Sequence, residues 1–185
     1  MPPAERTLVL ELSEGKAIDT MNRWAGLPVP VSGTAYFDDR LHMRLSGAAP
    51  AVDAARAKLG GEPMGDDEAR TLWQDLREHT HPFFRSDEAL WRLALPANTP
   101  PLDLPGGALL EWGGAQRWLR GNISASTVRE AASRSGGHAT LFRNGEKGVG
   151  VFQPLPPALL ALQRRLKHAL DPAGILNRGR LYPDF

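Results

Sequence analysis

The chain has 185 residues, and its 22 lysine and arginine residues nearly balance its 21 aspartate and glutamate residues. This balance gives no electrostatic reason to expect a nucleic acid as partner. The absence of cysteine excludes disulfides, a thiol nucleophile and iron–sulfur ligation by this chain. No apolar run approaches the roughly 18 residues of a transmembrane segment. We therefore predict one cytoplasmic domain that spans residues 1–185.

The first half of the sequence predicts a strand, a helix, a hairpin and a second helix. Residues 7–12 are mostly apolar, and Ser13 is a typical N-cap for the helix that follows. Residues 34–45 show the interrupted alternation of a hairpin. Pro50 suits the first turn of the second helix, which Gly60 ends. This order is the start of a ferredoxin-like βαββαβ unit.

The closing strand of that unit is predicted at residues 90–95, after an inserted helix at about residues 67–79. A proline-rich connector follows at residues 98–105.

The second half of the sequence predicts a hairpin, a helix, a strand and a last helix. Gly113-Gly114 lies between two apolar runs, a strong hairpin pattern. Thr127 and Glu130 indicate a capping box, and residues 138–142 read as a strand. From Pro156 onward a helix is predicted whose inward face carries four residues: Leu159, Leu162, Leu166 and Ala169. The predicted fold class is α+β, with one antiparallel sheet that is covered by helices and divided into two related ferredoxin-like lobes.

Histidines and tryptophans mostly have structural interpretations. His42 lies on the strand face opposite Leu41 and Met43, which predicts exposure to solvent. His79 and His81 are spaced like a metal pair, but a helix end explains them better, and we predict no metal site. Four of the five tryptophans are at positions typical of a core: Trp24, Trp73, Trp91 and Trp112.

Two segments carry candidate functional residues. After the last helix the chain reads Asp-Pro-Ala-Gly-Ile-Leu-Asn-Arg-Gly-Arg from Asp171 to Arg180. Pro172 stops the helix, and the tail offers polar groups to a ligand or a partner. His138 follows two glycines, where small residues let a ligand approach the backbone.

This ending resembles the closing motif of flavin-linked oxidases of the vanillyl-alcohol-oxidase type, Asp-Pro-x-Gly-Ile-x-Asn-Pro-Gly-Lys/Arg. Together with the runs Gly-Gly-His-Ala-Thr at residues 136–140 and Ala-Leu-Leu-Glu-Trp-Gly-Gly-Ala at residues 108–115, it is similar to the FAD-binding subunits of bacterial glycolate oxidases. Arg178 departs from the motif, because proline is usual there. Without the proline ring, φ at this position is free and the placement of Asn177 is less rigid.

The resemblance implies a substrate-side cap domain that lies over FAD. It implies that four residues of the tail face the flavin: Asn177, Gly179, Arg180 and Tyr182. It also implies that His138 holds a hydroxy acid or takes its hydroxyl proton. Ile175 and Leu176 are expected to anchor the tail on the domain.

The implied reaction oxidises glycolate or a related 2-hydroxy acid to the 2-oxo acid. The implied partners are an N-terminal FAD-binding domain, absent from this sequence, a sister flavin subunit and an iron–sulfur subunit. Such a complex associates with the inner face of the membrane, and this chain alone is expected neither to hold FAD nor to be active. The alternative is a stand-alone ferredoxin-like module that binds a ligand or a protein without catalysis.

Overall fold

The computed structural model describes residues 3–182. The sheet has eight strands: β1 (Ala4–Glu11), β2 (Val31–Phe37), β3 (Arg40–Gly47), β4 (Glu62–Pro63), β5 (Leu90–Ala94), β6 (Gly107–Glu111), β7 (Gln116–Arg120) and β8 (His138–Arg143). Five α-helices accompany it: α1 (Glu14–Ala25), α2 (Ala49–Leu59), α3 (Asp66–Glu78), α4 (Ala125–Arg134) and α5 (Pro157–Leu170).

The strand order, β4-β1-β3-β2-β6-β7-β5-β8, is that of two ferredoxin-like lobes placed side by side. Each lobe has its closing strand at an outer edge of the sheet, and all pairings are antiparallel. The lobes join where β2 pairs with β6 through Ala35↔Glu111 and Tyr36↔Leu110. In the second lobe the connector between β5 and β6 takes the place of a first helix. The predicted fold class is confirmed.

The closing strand of the first lobe is not where the sequence predicted it. The two-residue strand β4 closes that lobe, whereas residues 90–94 form β5 of the second lobe. Gly60 and Gly61 have φ of 69° and 93°, which bends the chain back along β1 immediately after α2. A strand of two residues shows no alternation, so the sequence pattern could not reveal it.

Helices α1, α2 and α4 cover one face of the sheet, and α3 covers part of the other. Ile18, Met21 and Trp24 of α1 pack on the first lobe, and Val128 of α4 packs on the second. Leu76 of α3 packs on Ala35, Phe37, Leu109 and Trp118 across the junction of the lobes. The second face therefore stays partly open beside α3.

Two local predictions need correction. Ser124, not Thr127, caps α4, and its hydroxyl accepts a hydrogen bond from the backbone N–H of Thr127 at 3.1 Å. Trp112 is 68% exposed, whereas Trp118 is buried in the core. Trp112 lies in the turn after β6, where strand alternation no longer applies, and Trp118 lies within β7.

The apolar stripe of α5 does not face inward. None of the fourteen residues of α5, all of which the structure describes, is buried. Leu162 and Leu166 are 57% and 58% exposed. The pattern predicted an amphipathic helix correctly, but it could not show that the face lacks a partner within the described chain.

His42 is buried instead of exposed. Its ring stacks on Phe37 at 4.5 Å under the part of the second face that α3 and the following turn cover. Burial lowers the pKa of His42 to about 4. The prediction of exposure assumed that this face of the sheet is in contact with water, but the inserted helix α3 and the turn after it cover the face at His42.

We expect the free energy of unfolding to decrease as the pH falls from about 6.5 toward 4. In this window the unfolded chain binds a proton at His42 that the folded chain does not, so stability is lost on acidification. The expected contribution is about 2 to 3 kcal/mol. The contribution of His42 is measured by urea unfolding of the wild type and of His42→Phe at several pH values between 6.5 and 4. His79 and His81 act in the same direction, so a wild-type slope no steeper than that of the variant contradicts the assignment to His42.

Candidate functional site

A cavity of about 970 Å³ lies on the second face of the sheet, beside α3. Four polar side chains from the second lobe and from the end of α3 line it: Arg92, Glu111, Gln116 and His79. The first three come from neighbouring strands, because Gln116 pairs with Glu111 and β5 lies on the other side of β7. The open face therefore carries a positively charged, a negatively charged and two further polar side chains.

A chain of hydrogen bonds fixes these side chains relative to each other. Arg92 Nε donates to Gln116 Oε1 at 2.9 Å, and Gln116 Nε2 donates to Glu111 Oε2 at 3.0 Å. Trp118 Nε1 donates to the same carboxylate oxygen at 2.6 Å. Because the guanidinium uses Nε for Gln116, its terminal N–H groups have the fork geometry that pairs with a carboxylate.

His79 adds a neutral imidazole to the cavity wall. It ends α3 in the left-handed conformation, with φ of 56°, and its ring packs 4.4 Å from Phe84 and 4.7 Å from Trp118. Arg143 Nη2 lies 3.2 Å from Nδ1. Since a guanidinium only donates, Nδ1 accepts and Nε2 carries the hydrogen. Burial, and next the charge of Arg143, lowers the pKa of His79.

His138 lies on the same face as Arg92. It is the first residue of β8, where it pairs with Ala94, and Thr140 pairs with Arg92. Residues two apart on a strand share a face, so His138 is a diagonal neighbour of Arg92 at roughly 7 to 8 Å between Cα atoms. His138 is exposed. It does not line the cavity itself but lies at its β8 side.

Tyr182 of the tail returns to the strand that carries His138. Its hydroxyl donates to the carbonyl oxygen of Gln153 at 3.1 Å. The side-chain oxygen of Gln153 accepts from the backbone N–H of Ala139 at 2.8 Å. The structure thus brings two of the predicted site residues, His138 and Tyr182, to the same outer edge of the sheet.

The other predicted residues of the tail have structural roles in its turns. Asn177 and Gly179 have φ of 50° and 64°, the left-handed region that these two residue types adopt readily. Both are exposed, and so is Arg180, whose backbone N–H donates to the carbonyl of Asn177 at 3.2 Å. These three residues lie apart from the cavity lining.

Asp171 organises the turn after α5. Its carboxylate accepts from the backbone N–H groups of Ile175 at 3.2 Å and Leu176 at 2.9 Å. The hydrogen bond from Lys167, followed by the one from Leu176, holds the pKa of Asp171 down at about 2. Ile175 and Leu176 are 72% and 57% exposed, so the expected anchoring of the tail by these two residues is wrong. The turn is fixed by polar contacts, and its apolar side chains face outward.

Trp112 forms an exposed rim to the cavity. It has φ of 53°, which is unusual for a bulky residue and costs on the order of 1 kcal/mol or more. Two hydrogen bonds fix the turn: the backbone N–H of Gly113 donates to Thr34 Oγ1 at 2.8 Å, and Asn22 Nδ2 donates to the carbonyl oxygen of Gly113 at 3.5 Å. Residues held in such a strained backbone conformation cluster at binding and active sites.

Sequence reasoning missed Arg92, Glu111, Gln116 and His79 as site residues. Arg92 interrupts the apolar strand Leu-Trp-Arg-Leu-Ala, and Glu111 ends another. The sequence did show that each of these two strands carries a polar residue among apolar ones, at a position that faces the second side of the sheet. Such a polar residue indicates a binding site only where α3 leaves the face uncovered, and the sequence does not show where that is.

Within residues 3–182 no group of three or more His, Cys, Asp or Glu side chains has an arrangement that holds a metal ion. In the same part of the chain, no helix has the length and apolar character needed to cross a membrane.

Two comparisons show which known proteins this chain is similar to. Residues 151–181, which contain α5 and the turn that follows it, match the model of the C-terminal domain of FAD linked oxidases. The chain as a whole is similar to a curated protein. It is 42% identical over 183 residues, 99% of its length, to the glycolate oxidase subunit GlcE of Escherichia coli strain K12. The chain spans about half the length of this curated relative.

Proposed function

We propose that this chain is the substrate-side cap domain of a glycolate oxidase FAD-binding subunit, which oxidises glycolate or a related 2-hydroxy acid. The observation that carries the proposal is the open face of the sheet, where Arg92 and the exposed His138 are diagonal neighbours beside a large cavity. A 2-hydroxy acid presents a carboxylate and a hydroxyl group on adjacent carbons. The guanidinium suits the first group and the imidazole the second.

The residues present fit the ring end of a flavin. The cavity is open and wide, and the exposed Trp112 offers an aromatic surface at its rim. Four residues of the tail would approach the flavin when an FAD-binding domain covers this face: Asn177, Gly179, Arg180 and Tyr182. The sequence has no glycine-rich dinucleotide motif for the pyrophosphate, so that contact is assigned to the other half of a complete subunit.

The side chains of this domain bind and orient the acid. Arg92 holds its carboxylate, and the hydrogen bond from Arg92 Nε to Gln116 keeps the guanidinium in place. His138 holds the acid or takes the hydroxyl proton. His79 Nε2–H is available as a donor to an oxygen of the acid. Bound FAD would supply the acceptor for the α-hydrogen, which leaves with its two electrons as a hydride.

Two observations support the proposed partners: the chain covers only half of the relative's length, and helix α5 exposes an apolar face. The chain matches half of GlcE, and we propose an N-terminal FAD-binding domain for the remaining part of a complete subunit. The exposed leucines of α5 offer it a docking face. A sister flavin subunit and an iron–sulfur subunit complete the proposed complex, which lies in the cytoplasm and associates with the inner face of the membrane. The domain alone is proposed to be inactive.

Replacing Arg92 with methionine in the complete FAD-containing subunit is expected to lower kcat/KM for glycolate at least about 30-fold, because a charge-assisted contact of 2 kcal/mol or more is lost. The measurement is anaerobic reduction of the flavin, followed by absorbance. His138→Gln is expected to lower the rate of reduction about 100-fold or more if the imidazole takes the proton.

Arg134→Met is the matched control, since Arg134 is an exposed arginine of α4. The proposal fails if the flavin remains bound in the Arg92 variant and is reduced at the wild-type rate across all glycolate concentrations.

The alternative, a ferredoxin-like interaction module without catalysis, is favoured by the exposed apolar face of α5 alone. It predicts that this chain binds a protein partner while no 2-hydroxy acid binds at Arg92. Two-dimensional NMR of the 185-residue chain with glycolate distinguishes the two functions.

A further inference from the structure

Gln116 lies between a donor and an acceptor that together fix the direction of its amide. On one side Arg92 Nε donates to Gln116 Oε1 at 2.9 Å, and on the other side Gln116 Nε2 donates to Glu111 Oε2 at 3.0 Å. A guanidinium only donates and a carboxylate only accepts. The reversed amide would place N–H groups against Arg92 and an oxygen against Glu111. Only one orientation of Gln116 therefore satisfies both neighbours.

The position of Glu111 is fixed by the core of the domain. Trp118, which is buried in that core, donates from Nε1 to the same carboxylate oxygen at 2.6 Å. An indole only donates, so the series of hydrogen bonds has one direction from Trp118 to Arg92. Gln116 is 8% exposed, and water therefore does not readily replace a partner that its amide loses.

Glu111 acts on Arg92 across an intervening strand. β7, which carries Gln116, lies between β6 and β5, so the backbones at Glu111 and Arg92 are roughly 10 Å apart. A carboxylate in direct contact with the guanidinium would occupy the N–H groups that a substrate carboxylate needs. The neutral amide of Gln116 holds the guanidinium at Nε instead, and it does not use the terminal N–H groups.

We propose that Glu111 is a positioning residue for Arg92: through the amide of Gln116, its carboxylate holds the Arg92 guanidinium in one orientation at the cavity. This inference rests on the proposed function and deepens it, because Arg92 is there assigned to the carboxylate of the 2-hydroxy acid. Arg92 is exposed, and an exposed arginine without an anchor loses its rotamer freedom only when it binds. The hydrogen bond at Nε removes part of that cost before the acid arrives.

Glu111→Met and Glu111→Gln are a pair of variants of similar size that test this role. Glutamine keeps an oxygen that accepts from Trp118 and Gln116, whereas methionine has none. NMR titration of the 185-residue chain with glycolate is expected to show an affinity about three- to tenfold lower for Glu111→Met. Glu111→Gln is expected to restore the affinity to within about twofold of the wild type. Glu130→Met is the matched control, because Glu130 is exposed in a pair with Arg134.

The Nε–H signal of Arg92 reports its orientation without any ligand. In the wild type this hydrogen is expected to exchange with water at least about tenfold more slowly than Nε–H of the exposed Arg134. The exchange should become faster in Glu111→Met and in Gln116→Met and stay slow in Glu111→Gln. If Glu111 acts through Gln116, adding Glu111→Met to Gln116→Met causes no further loss of glycolate affinity.

The outcomes separate the positioning role from the proposed function. Equal losses of affinity in Glu111→Gln and Glu111→Met overturn the positioning role, because the charge of Glu111 would then act and not its accepting oxygen. Fast exchange of Arg92 Nε–H in the wild type also overturns it, and this measurement decides even if Glu111→Met does not fold. If glycolate does not bind the wild type, the proposed function fails, and the exchange of Arg92 Nε–H still decides the role of Glu111.

Discussion

Replacing Arg117 with methionine is expected to lower the free energy of unfolding by about 2 to 4 kcal/mol. The Arg117 side chain is 4% exposed, and it donates to the carbonyl oxygens of Pro100 at 2.8 Å, Gly114 at 3.2 Å and Thr99. Its guanidinium lies 3.9 Å from the carboxylate of Glu14. Methionine has a comparable length but no donor, so the buried carbonyls lose their partner.

The expected effect is local as well as global. Arg117 joins the connector of the second lobe to β7 and to the start of α1, in the place where the first lobe has a helix. Urea unfolding measures the loss, and amide exchange is expected to increase first around Thr99. Arg134→Met, a substitution in an exposed i,i+4 pair with Glu130, is expected to change stability by less than about 0.5 kcal/mol. Equal losses for the two variants contradict this account.

The second large effect concerns α5. Replacing Leu162 and Leu166 with glutamine is expected to leave the stability of the 185-residue chain within about 0.5 kcal/mol, because both side chains are exposed. In the complete subunit the same double variant is expected to lose about 3 kcal/mol or more, since each leucine would be buried against the FAD-binding domain. Urea unfolding of both proteins and the flavin retained after gel filtration measure the difference.

Arg165→Gln with His168→Gln is the matched pair, since both residues are exposed on the same helix outside the leucine stripe. If the leucine variant weakens the short chain and the complete subunit equally, the leucines stabilise this domain alone. The proposed docking face would then be wrong.

Much of the fold follows from local patterns in the sequence. The N-cap Ser13 and the stripe of Ile18, Met21 and Trp24 predicted α1. Asp38 and Asp39, with φ of 47° and 56°, form the two-residue turn that the interrupted alternation indicated.

The predictions that failed depended on contacts between distant segments. His42 is buried because α3, an insertion after β4, returns over the second face of the sheet. Trp112 and Trp118 have the same residue type and lie six positions apart, yet only the strand residue is buried. For β4 the strand is too short to show alternation, and its position is determined by Gly61.

The candidate site was predicted only in part. His138 and Tyr182 were named from the sequence, and the structure places them near the same sheet edge. Whether either meets a flavin or a substrate is still a prediction. Arg92 emerged only when the register between β5 and β8 showed that it shares a face with His138. Such register information is not contained in the periodicity of either strand.

The narrow junction between the lobes has a consequence for how the chain folds. β1, β2 and β3 pair with each other within the first 47 residues, whereas Ala35 and Glu111 must meet across a loop of more than 70 residues. Loop-closure entropy therefore opposes the junction more than the hairpins within each lobe. Each half can acquire its own ladder early, and the joining of β2 to β6 is expected to be the last pairing to form. The cavity, which borders this junction, would then be completed only in the final step of folding.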